Sequence, residues 1–295
     1  MKFKLFVYTI TLSSVMMVSC SSSSETTTQS DEITDSSSTV TANDTAKYVE
    51  EEDVFYNLRS ALQIAYVFKK SNATFNSKFI NSANNTAKYN ISNYKRAVNF
   101  GVYSSDLAYI IFNKKYQESK NYLKACKDVG GYLGINQAFE SDNIAQRFDS
   151  NISNEDSLVK IVSDVQLKTD ALFEQNKQKH ITVLAFAGAW AESIYIANES
   201  YQLQKSNKIL ACLVEQILLS ETIIKALKHC EGKEPEIKNL KTEIETIYNI
   251  FSAIPTVKAM LESDNDVDFS TLKITDEELK ATTALVTTLR NRMVQ

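Results

Sequence analysis

Two carboxylates stand inside runs of apolar residues, where an acid is least expected. Asp106 lies in the stretch 94–112 (YKRAVNFGVYSSDLAYIIF), and Glu192 lies in the stretch 181–197 (ITVLAFAGAWAESIYIA). Because a carboxylate without a partner is costly to bury, each of them needs either a partner or a raised pKa. A carboxyl group with a raised pKa is also what general acid–base catalysis uses.

Aromatic side chains flank both carboxylates at helical spacing, so each has a phenol beside it that could donate a hydrogen bond. One interpretation is a polar pocket between two central helices, lined by Tyr103, Asp106, Tyr109, Trp190, Glu192 and Tyr195. The preferred interpretation is a structural cluster in which a lysine, Arg96, Arg147 or helix-end amides satisfy the two carboxylates. The catalytic residues of any reaction stay unassigned.

Metal and nucleophilic chemistry find little support in the residues. Neither His180 nor His229 is followed, at the spacing that helical metal sites use, by a second side chain of a ligand type. The chain contains no recognisable nucleophile motif and no glycine-rich phosphate loop. We therefore expect no metal and no other cofactor.

Three cysteines follow Cys20 in the chain, and their spacing is not typical of a metal site. Cys126 and Cys212 stand among apolar helical neighbours, so both are expected to be buried thiols. A disulfide involving Cys230 or either of the others stays open, because the sequence cannot choose a pair.

Composition favours a helical protein that does not bind nucleic acid. The chain has only 6 Gly and 2 Pro in 295 residues, which argues against turn-rich β structure. Lys2 and Lys4 belong to an N-terminal segment that is predicted below to be cleaved. Without them, 30 of the 32 basic residues remain against 36 acidic ones, a net charge of −6. That balance disfavours a nucleic-acid partner.

Apolar residues recur every three or four positions along most of the chain, as in amphipathic helices. Helices of this kind are predicted over 54–68, 158–173, 209–230, 237–251 and 279–293. The two stretches around the carboxylates are apolar on nearly every face and are expected at the centre of the domain. Gly101 and Gly188 lie within these stretches, and a mid-helix glycine costs roughly 1 kcal/mol against alanine. Close contact between the two helices is the expected reason.

The fold class predicted from these patterns is all-α. Tyr109, Tyr122 and Ala125 within 94–130 resemble one tetratricopeptide unit, but the pattern does not repeat at a fixed period. We therefore expect an irregular helical bundle or a helical-hairpin array, with a resemblance to tetratricopeptide repeats only in part.

The first residues have the pattern of a secretory signal. Two lysines precede an uncharged apolar run over 5–18, which is too short to span a membrane. The run ends in Met-Val-Ser-Cys20, which resembles the bacterial lipobox, so residues 1–19 are a predicted signal peptide and Cys20 the predicted site of lipidation. An ordinary signal peptide with an incidental cysteine is the alternative.

The residues that follow predict a tether and one large domain. The Ser/Thr-rich segment 20–47 has too few apolar residues to fold and is predicted to be disordered, and 48–295 to be an all-α globular domain. By analogy with known lipoproteins, Ser21 after the cysteine resembles an outer-membrane sorting signal, and the first acidic residue, Glu25, lies further from the cysteine than in lipoprotein surface-export signals. This resemblance favours the periplasmic face of the outer membrane over the cell surface.

Two central stretches carry a resemblance to other proteins. Residues 99–109 (NFGVYSSDLAY) and 187–197 (AGAWAESIYIA), with Gly134 and Ile135 between them, resemble uncharacterised all-helical lipoproteins of Bacteroidetes type. The resemblance covers most of residues 54–295. It implies a location in the cell envelope and a helical fold, and it implies no activity.

These observations predict a membrane-anchored lipoprotein whose helical domain binds a partner, either another envelope protein or a small ligand. The alternative is a periplasmic enzyme that uses Asp106 or Glu192 as a general acid or base.

Overall fold

Helices and short connections account for most of the structure. The computed structural model of the protein describes residues 61–263 and 268–295, all of which belong to one compact unit. The α-helices are α1 (Ala61–Ser71), α2 (Asn93–Phe112), α3 (Tyr116–Tyr132), α4 (Asn136–Glu140), α5 (Ile144–Ser150), α6 (Glu155–Gln175), α7 (Lys179–Leu203), α8 (Asn207–Leu218), α9 (Ser220–His229), α10 (Ile237–Ser252), α11 (Pro255–Leu261) and α12 (Asp276–Val294). These two described ranges contain no β-strand, which confirms the predicted all-α fold.

Local signals in the sequence set several helix ends. Thr275 accepts a hydrogen bond from the backbone N–H of Glu278, whose carboxylate accepts one from the backbone N–H of Thr275, so α12 begins with a capping box. The prediction of one helix over 209–230 is wrong. The helix is interrupted at Leu219, so that α8 ends at Leu218 and α9 begins at Ser220. At this interruption the Ser220 hydroxyl donates to the backbone carbonyl of Ile217.

The two apolar helices α2 and α7 pack against each other at the centre, and the other long helices surround them. At two points in this contact backbone meets backbone, with no side chain between them. A Cβ atom on Gly101 would lie 1.7 Å from the backbone oxygen of Ala185, and one on Gly188 would lie 2.0 Å from that of Val98. Only glycine permits this approach, so the expectation of close helix contact is confirmed.

The connection between α1 and α2 is partly buried. It contains a short 3₁₀ helix, Ala83–Tyr89, and Asn81 just before it is 5% exposed. Tyr122 on α3 donates to the Asn81 carbonyl at 2.8 Å, and the Asn81 amide donates to Tyr89 Oη at 2.9 Å. Tyr89 in turn donates to the carbonyl of Val294 at 3.1 Å, which ties the connection to the end of α12. Side-chain bonds of this kind satisfy backbone groups that a buried loop would otherwise leave unpaired.

The cysteines within the described residues are Cys126, Cys212 and Cys230, and all three are buried. Burial raises the pKa of the Cys126 thiol and of the Cys212 thiol to about 12, so both stay protonated at neutral pH. The prediction of buried thiols for Cys126 and Cys212 is confirmed.

Several predictions fall on other parts of the chain. The signal peptide over 1–19, the lipidated Cys20, the tether over 20–47 and the first part of the helix predicted over 54–68 lie outside the described residues. Among the described residues, one helix, α7, is long enough and apolar enough to cross a membrane, judged by length and composition alone. However, 78% of its most apolar window is buried in the fold, as in the core helix of a globular domain.

Candidate functional site

Glu192 on α7 is fully buried and is held by Arg290 from α12. The guanidinium donates from Nε to Glu192 Oε2 at 2.7 Å and from Nη2 to Oε1 at 2.8 Å, so both carboxylate oxygens are bonded. Arg290 is 8% exposed, and its guanidinium carbon lies 4.4 Å from the centre of the Tyr195 ring. Two parallel bonds and an aromatic face compensate this buried pair of charges.

Asp106 on α2 is also fully buried and lies beside this ion pair. Its Oδ2 accepts a hydrogen bond from the backbone N–H of Asn81 at 3.1 Å, and its Oδ1 has no donor among the described residues. Burial raises the pKa of Asp106 well above its ordinary value, and the negative charge of Glu192 raises it further against the opposing effect of Arg290. A proton on Asp106 that is donated to Glu192 would satisfy Oδ1 and leave the three side chains with no net charge. We call these three residues the buried carboxyl cluster.

The arginines expected from the sequence do not supply the partner. Arg96 bonds the side chain of Asn90, and Arg147 pairs with Asp164 at 2.7 Å. The partner, Arg290, lies 98 residues beyond Glu192 in the chain. No helical spacing could have linked two residues so far apart.

The phenols beside Asp106 bond a neighbouring segment rather than the carboxylate. Tyr103 donates to the carbonyl of Ser82 at 2.8 Å, and Tyr109 Oη accepts from the backbone N–H of Asn76 at 3.2 Å. Burial raises the pKa of both phenols, so both keep their protons. These two tyrosines therefore fasten the connection between α1 and α2 to the central helix.

Trp190 also takes part in a packing contact rather than a site. Its indole N–H donates to the backbone carbonyl of Gln216 at 2.9 Å, and the ring is fully buried. Of the six residues predicted to line a pocket, Asp106 and Glu192 come together and Tyr195 joins them through Arg290. The other three, Tyr103, Tyr109 and Trp190, bond separate parts of the backbone.

A cavity of about 570 Å³ lies elsewhere, between α2, α3, α4, α6 and α7. This volume falls within the range of about 300–1,000 Å³ that small-molecule sites occupy. Most of the wall is apolar, and its larger apolar side chains are Phe100, Leu107, Leu123, Phe139, Val162, Val165, Phe173 and Phe186. None of the six residues predicted to line a pocket lines this cavity.

Helix α6 supplies most of the polar groups of the cavity wall, and two of them are unpaired. Thr169 is 2% exposed, and its hydroxyl has no hydrogen-bond partner among the described residues. Asp170, the next residue, is partly buried, and burial raises the pKa of its carboxyl to about 6. No described cation pairs with it. The wall therefore contains a carboxylate without a cationic partner, and a fully buried hydroxyl without a hydrogen-bond partner lies on the same helix.

The sequence did contain a signal for this site. On α6 the apolar stripe runs through Val162, Val165 and Phe173, and Thr169 falls on it at helical spacing. A polar side chain on an apolar stripe needs a partner or a function. The predicted helix over 158–173 was interpreted only as an amphipathic helix, and the interruption at Thr169 and Asp170 was missed.

The two histidines occupy helix ends. His180 lies in the first turn of α7, 3.7 Å from the carboxylate of Glu234, and His229 is the last residue of α9. Within residues 61–263 and 268–295, no group of three or more His, Cys, Asp or Glu side chains is placed to hold a metal ion.

The described residues thus form an all-α domain with a ligand-sized apolar cavity and a separate buried carboxyl cluster. No protein-family model, no curated protein and no solved structure matches this chain. The resemblance to Bacteroidetes-type helical lipoproteins stays a prediction, and a functional proposal rests on the chemistry of the cavity.

Proposed function

We propose that this protein is a lipid-anchored lipoprotein of the bacterial cell envelope whose helical domain binds a small, largely apolar ligand in the cavity beside Thr169 and Asp170. The single observation that carries the ligand-binding proposal is the cavity itself. It combines about 570 Å³ of space, apolar walls and two unpaired polar groups. Binding sites for small molecules have this combination of an apolar lining with a few polar groups that orient the ligand.

The sequence left two kinds of partner open, and the cavity favours a small ligand over an envelope protein. Large exposed apolar side chains are few on the described surface, and they occur singly, at Tyr66, Ile91, Leu167 and Leu203. Scattered residues of this kind are normal on a soluble surface and do not form a patch for a protein partner.

An enzymatic role for Asp106 or Glu192 gains no support from their surroundings. A general acid or base must come within hydrogen-bond reach of the reacting group. Both carboxylates are fully buried, and Glu192 already has a bond on each oxygen. A ligand in the cavity would contact neither of them, because neither lines it.

Blocking the cavity tests the proposal. Val165 lines the cavity, so Val165→Phe should fill part of it, whereas Leu167 on the same helix is 70% exposed and Leu167→Phe should leave it open. We expect the neutral fluorophore N-phenyl-1-naphthylamine to bind the purified protein and the Leu167→Phe variant, and to bind Val165→Phe at least tenfold more weakly. Equal binding to the two variants would contradict the proposal.

The anchor is tested separately. A lipidated Cys20 should incorporate a radioactive or clickable fatty acid in growing cells, and Cys20→Ala should abolish the label. The location at the periplasmic face of the outer membrane predicts that labelled protein co-sediments with that membrane and resists proteolysis in intact cells. Failure of the wild-type chain to label would overturn the anchor and leave the ligand-binding proposal untouched.

A further inference from the structure

The charged groups of the cavity wall are unequally matched. The charged residues among its described lining are Asp170, Glu174 and Lys179. Lys179 pairs with Glu174 at 2.9 Å, and both side chains of that pair are more than 40% exposed. Asp170 is left as the unmatched charge, so the lining carries a net negative charge.

A carboxylate that is partly desolvated and lacks a cation gains from a positive charge placed beside it. Asp170 is the group of this kind on the cavity wall. The rest of the wall offers apolar surface to an uncharged body. From this juxtaposition we infer that the ligand is an amphipathic amine, with its apolar body in the cavity and its protonated nitrogen against Asp170.

This inference rests on the proposed function and adds the chemical class of the ligand. It distinguishes an amine from a fatty acid or a fatty alcohol of the same length, which would fill the same apolar space. A fatty acid would place a second negative charge beside Asp170, whereas an alcohol would leave the charge of Asp170 unmatched.

The test uses three probes with one chain length: decylamine, 1-decanol and decanoate. Each displaces N-phenyl-1-naphthylamine from the purified protein at about pH 8, where the Asp170 carboxyl is ionised because its pKa is about 6. We expect decylamine to bind at least tenfold more tightly than 1-decanol, since a charge-assisted hydrogen bond is stronger than a neutral one. Decanoate should bind most weakly.

Asp170→Asn should remove the preference and keep the cavity. Decylamine affinity should fall to that of 1-decanol, while 1-decanol affinity should stay within about twofold of wild type. Glu174→Gln is the matched control, because this acid lies one turn along the same face but is already paired with Lys179. It should leave most of the preference in place.

Acidification gives an independent readout of the same contact. As the pH falls through about 6, Asp170 takes up a proton, and the advantage of decylamine over 1-decanol should shrink. The other titratable groups facing the cavity are Glu174 and Lys179 at its rim and the Cys126 thiol, whose pKa is about 12. The Asp170→Asn variant should show no such pH dependence, which separates Asp170 from these groups.

The outcomes separate the inference from the proposal beneath it. Tight 1-decanol binding without a preference for decylamine, or a preference that survives Asp170→Asn, would overturn the amine and leave a ligand-binding cavity. Failure of all three probes to displace the fluorophore would also overturn the amine, and failure of N-phenyl-1-naphthylamine itself to bind would overturn both. The midpoint temperature of thermal unfolding of Asp170→Asn, measured in parallel, should be no lower than that of wild type, because the substitution removes an unpaired charge.

Discussion

The buried carboxyl cluster and the cavity wall both place acids in apolar surroundings, and they resolve the problem in opposite ways. Glu192 receives two bonds from Arg290, and burial raises the pKa of Asp106 well above its ordinary value, which favours the neutral acid. Asp170 is less deeply buried but has no partner within the described residues. The comparison teaches that a buried acid is not by itself a sign of function. The better sign is a partly buried polar group to which the fold supplies no hydrogen-bond or ion-pair partner.

The largest expected change in stability comes from removing the arginine of the buried carboxyl cluster. Arg290→Met keeps most of the apolar stem but leaves Glu192 fully buried with an unpaired charge. We expect the free energy of unfolding in urea to fall by roughly 3–5 kcal/mol.

Arg292→Met is the matched control for this change. Arg292 lies two residues further along α12 and pairs with Glu243 through side chains that are 49% and 37% exposed. Because exposed ion pairs contribute little, we expect this variant to lose about 1 kcal/mol or less. Similar losses for the two arginines would show that the cluster is not the tightly matched region described above.

The proton on Asp106 should appear as a pH dependence of stability. Its pKa is raised in the folded state, so the folded protein keeps a proton that the unfolded chain releases at about pH 4. The stability from this proton is complete below that pH and is lost as pH rises through the raised folded pKa. The loss is at most about 1.4 kcal/mol per pH unit.

Asp106→Asn isolates this effect, because asparagine mimics the protonated acid and can still accept from Asn81 and donate to Glu192. The difference in unfolding free energy between wild type and variant should move in favour of the variant as the pH rises. Urea titrations at several pH values measure this difference and cancel the other ionisable groups. A difference that does not vary with pH would mean that Asp106 is not protonated in the folded protein.

The smallest expected effect is at the cavity wall and has the opposite sign. The raised pKa of Asp170 means that its carboxylate destabilises the empty fold at neutral pH. After allowance for solvent screening, Asp170→Asn should stabilise the protein by about 1 kcal/mol near pH 8 and by nothing near pH 4.

Asp164→Asn is the comparison for this change, since Asp164 lies on the same helix and pairs with Arg147 at 2.7 Å. Here the substitution removes a partner, so we expect a loss of up to about 1 kcal/mol. Thermal melts of the two variants should therefore shift in opposite directions. Shifts of the same sign would remove the contrast between a paired and an unpaired acid.

Much of the fold could be predicted because it depends on local periodicity. The fully apolar stretches identified the central helices, and Gly101 and Gly188 indicated their close contact. Asp106 and Glu192 were recognised as acids in need of a partner or a proton. The break at Leu219 was not foreseen, because the apolar spacing continues from α8 into α9 without interruption.

The site could not be predicted to the same extent, because it depends on contacts that are distant in sequence. Neither Arg290 as the partner of Glu192 nor the partners of Tyr103 and Tyr109 in the connection before α2 follow from helical spacing. The cavity is a gap between several helices, and a gap leaves no residue pattern. Only Thr169, a hydroxyl on an apolar stripe, gave a local indication of it.

The contact of α2 with α7 at Gly101 and Gly188 bears on how such a protein could diverge. Backbone touches backbone there, so the crossing of the two helices does not depend on which rotamers their neighbours adopt. Substitutions on α3, α4 and α6 can reshape the cavity without disturbing that crossing or the cluster beyond it. Under the ligand-binding proposal, the cavity could therefore change its ligand while the central helix pair stays in place.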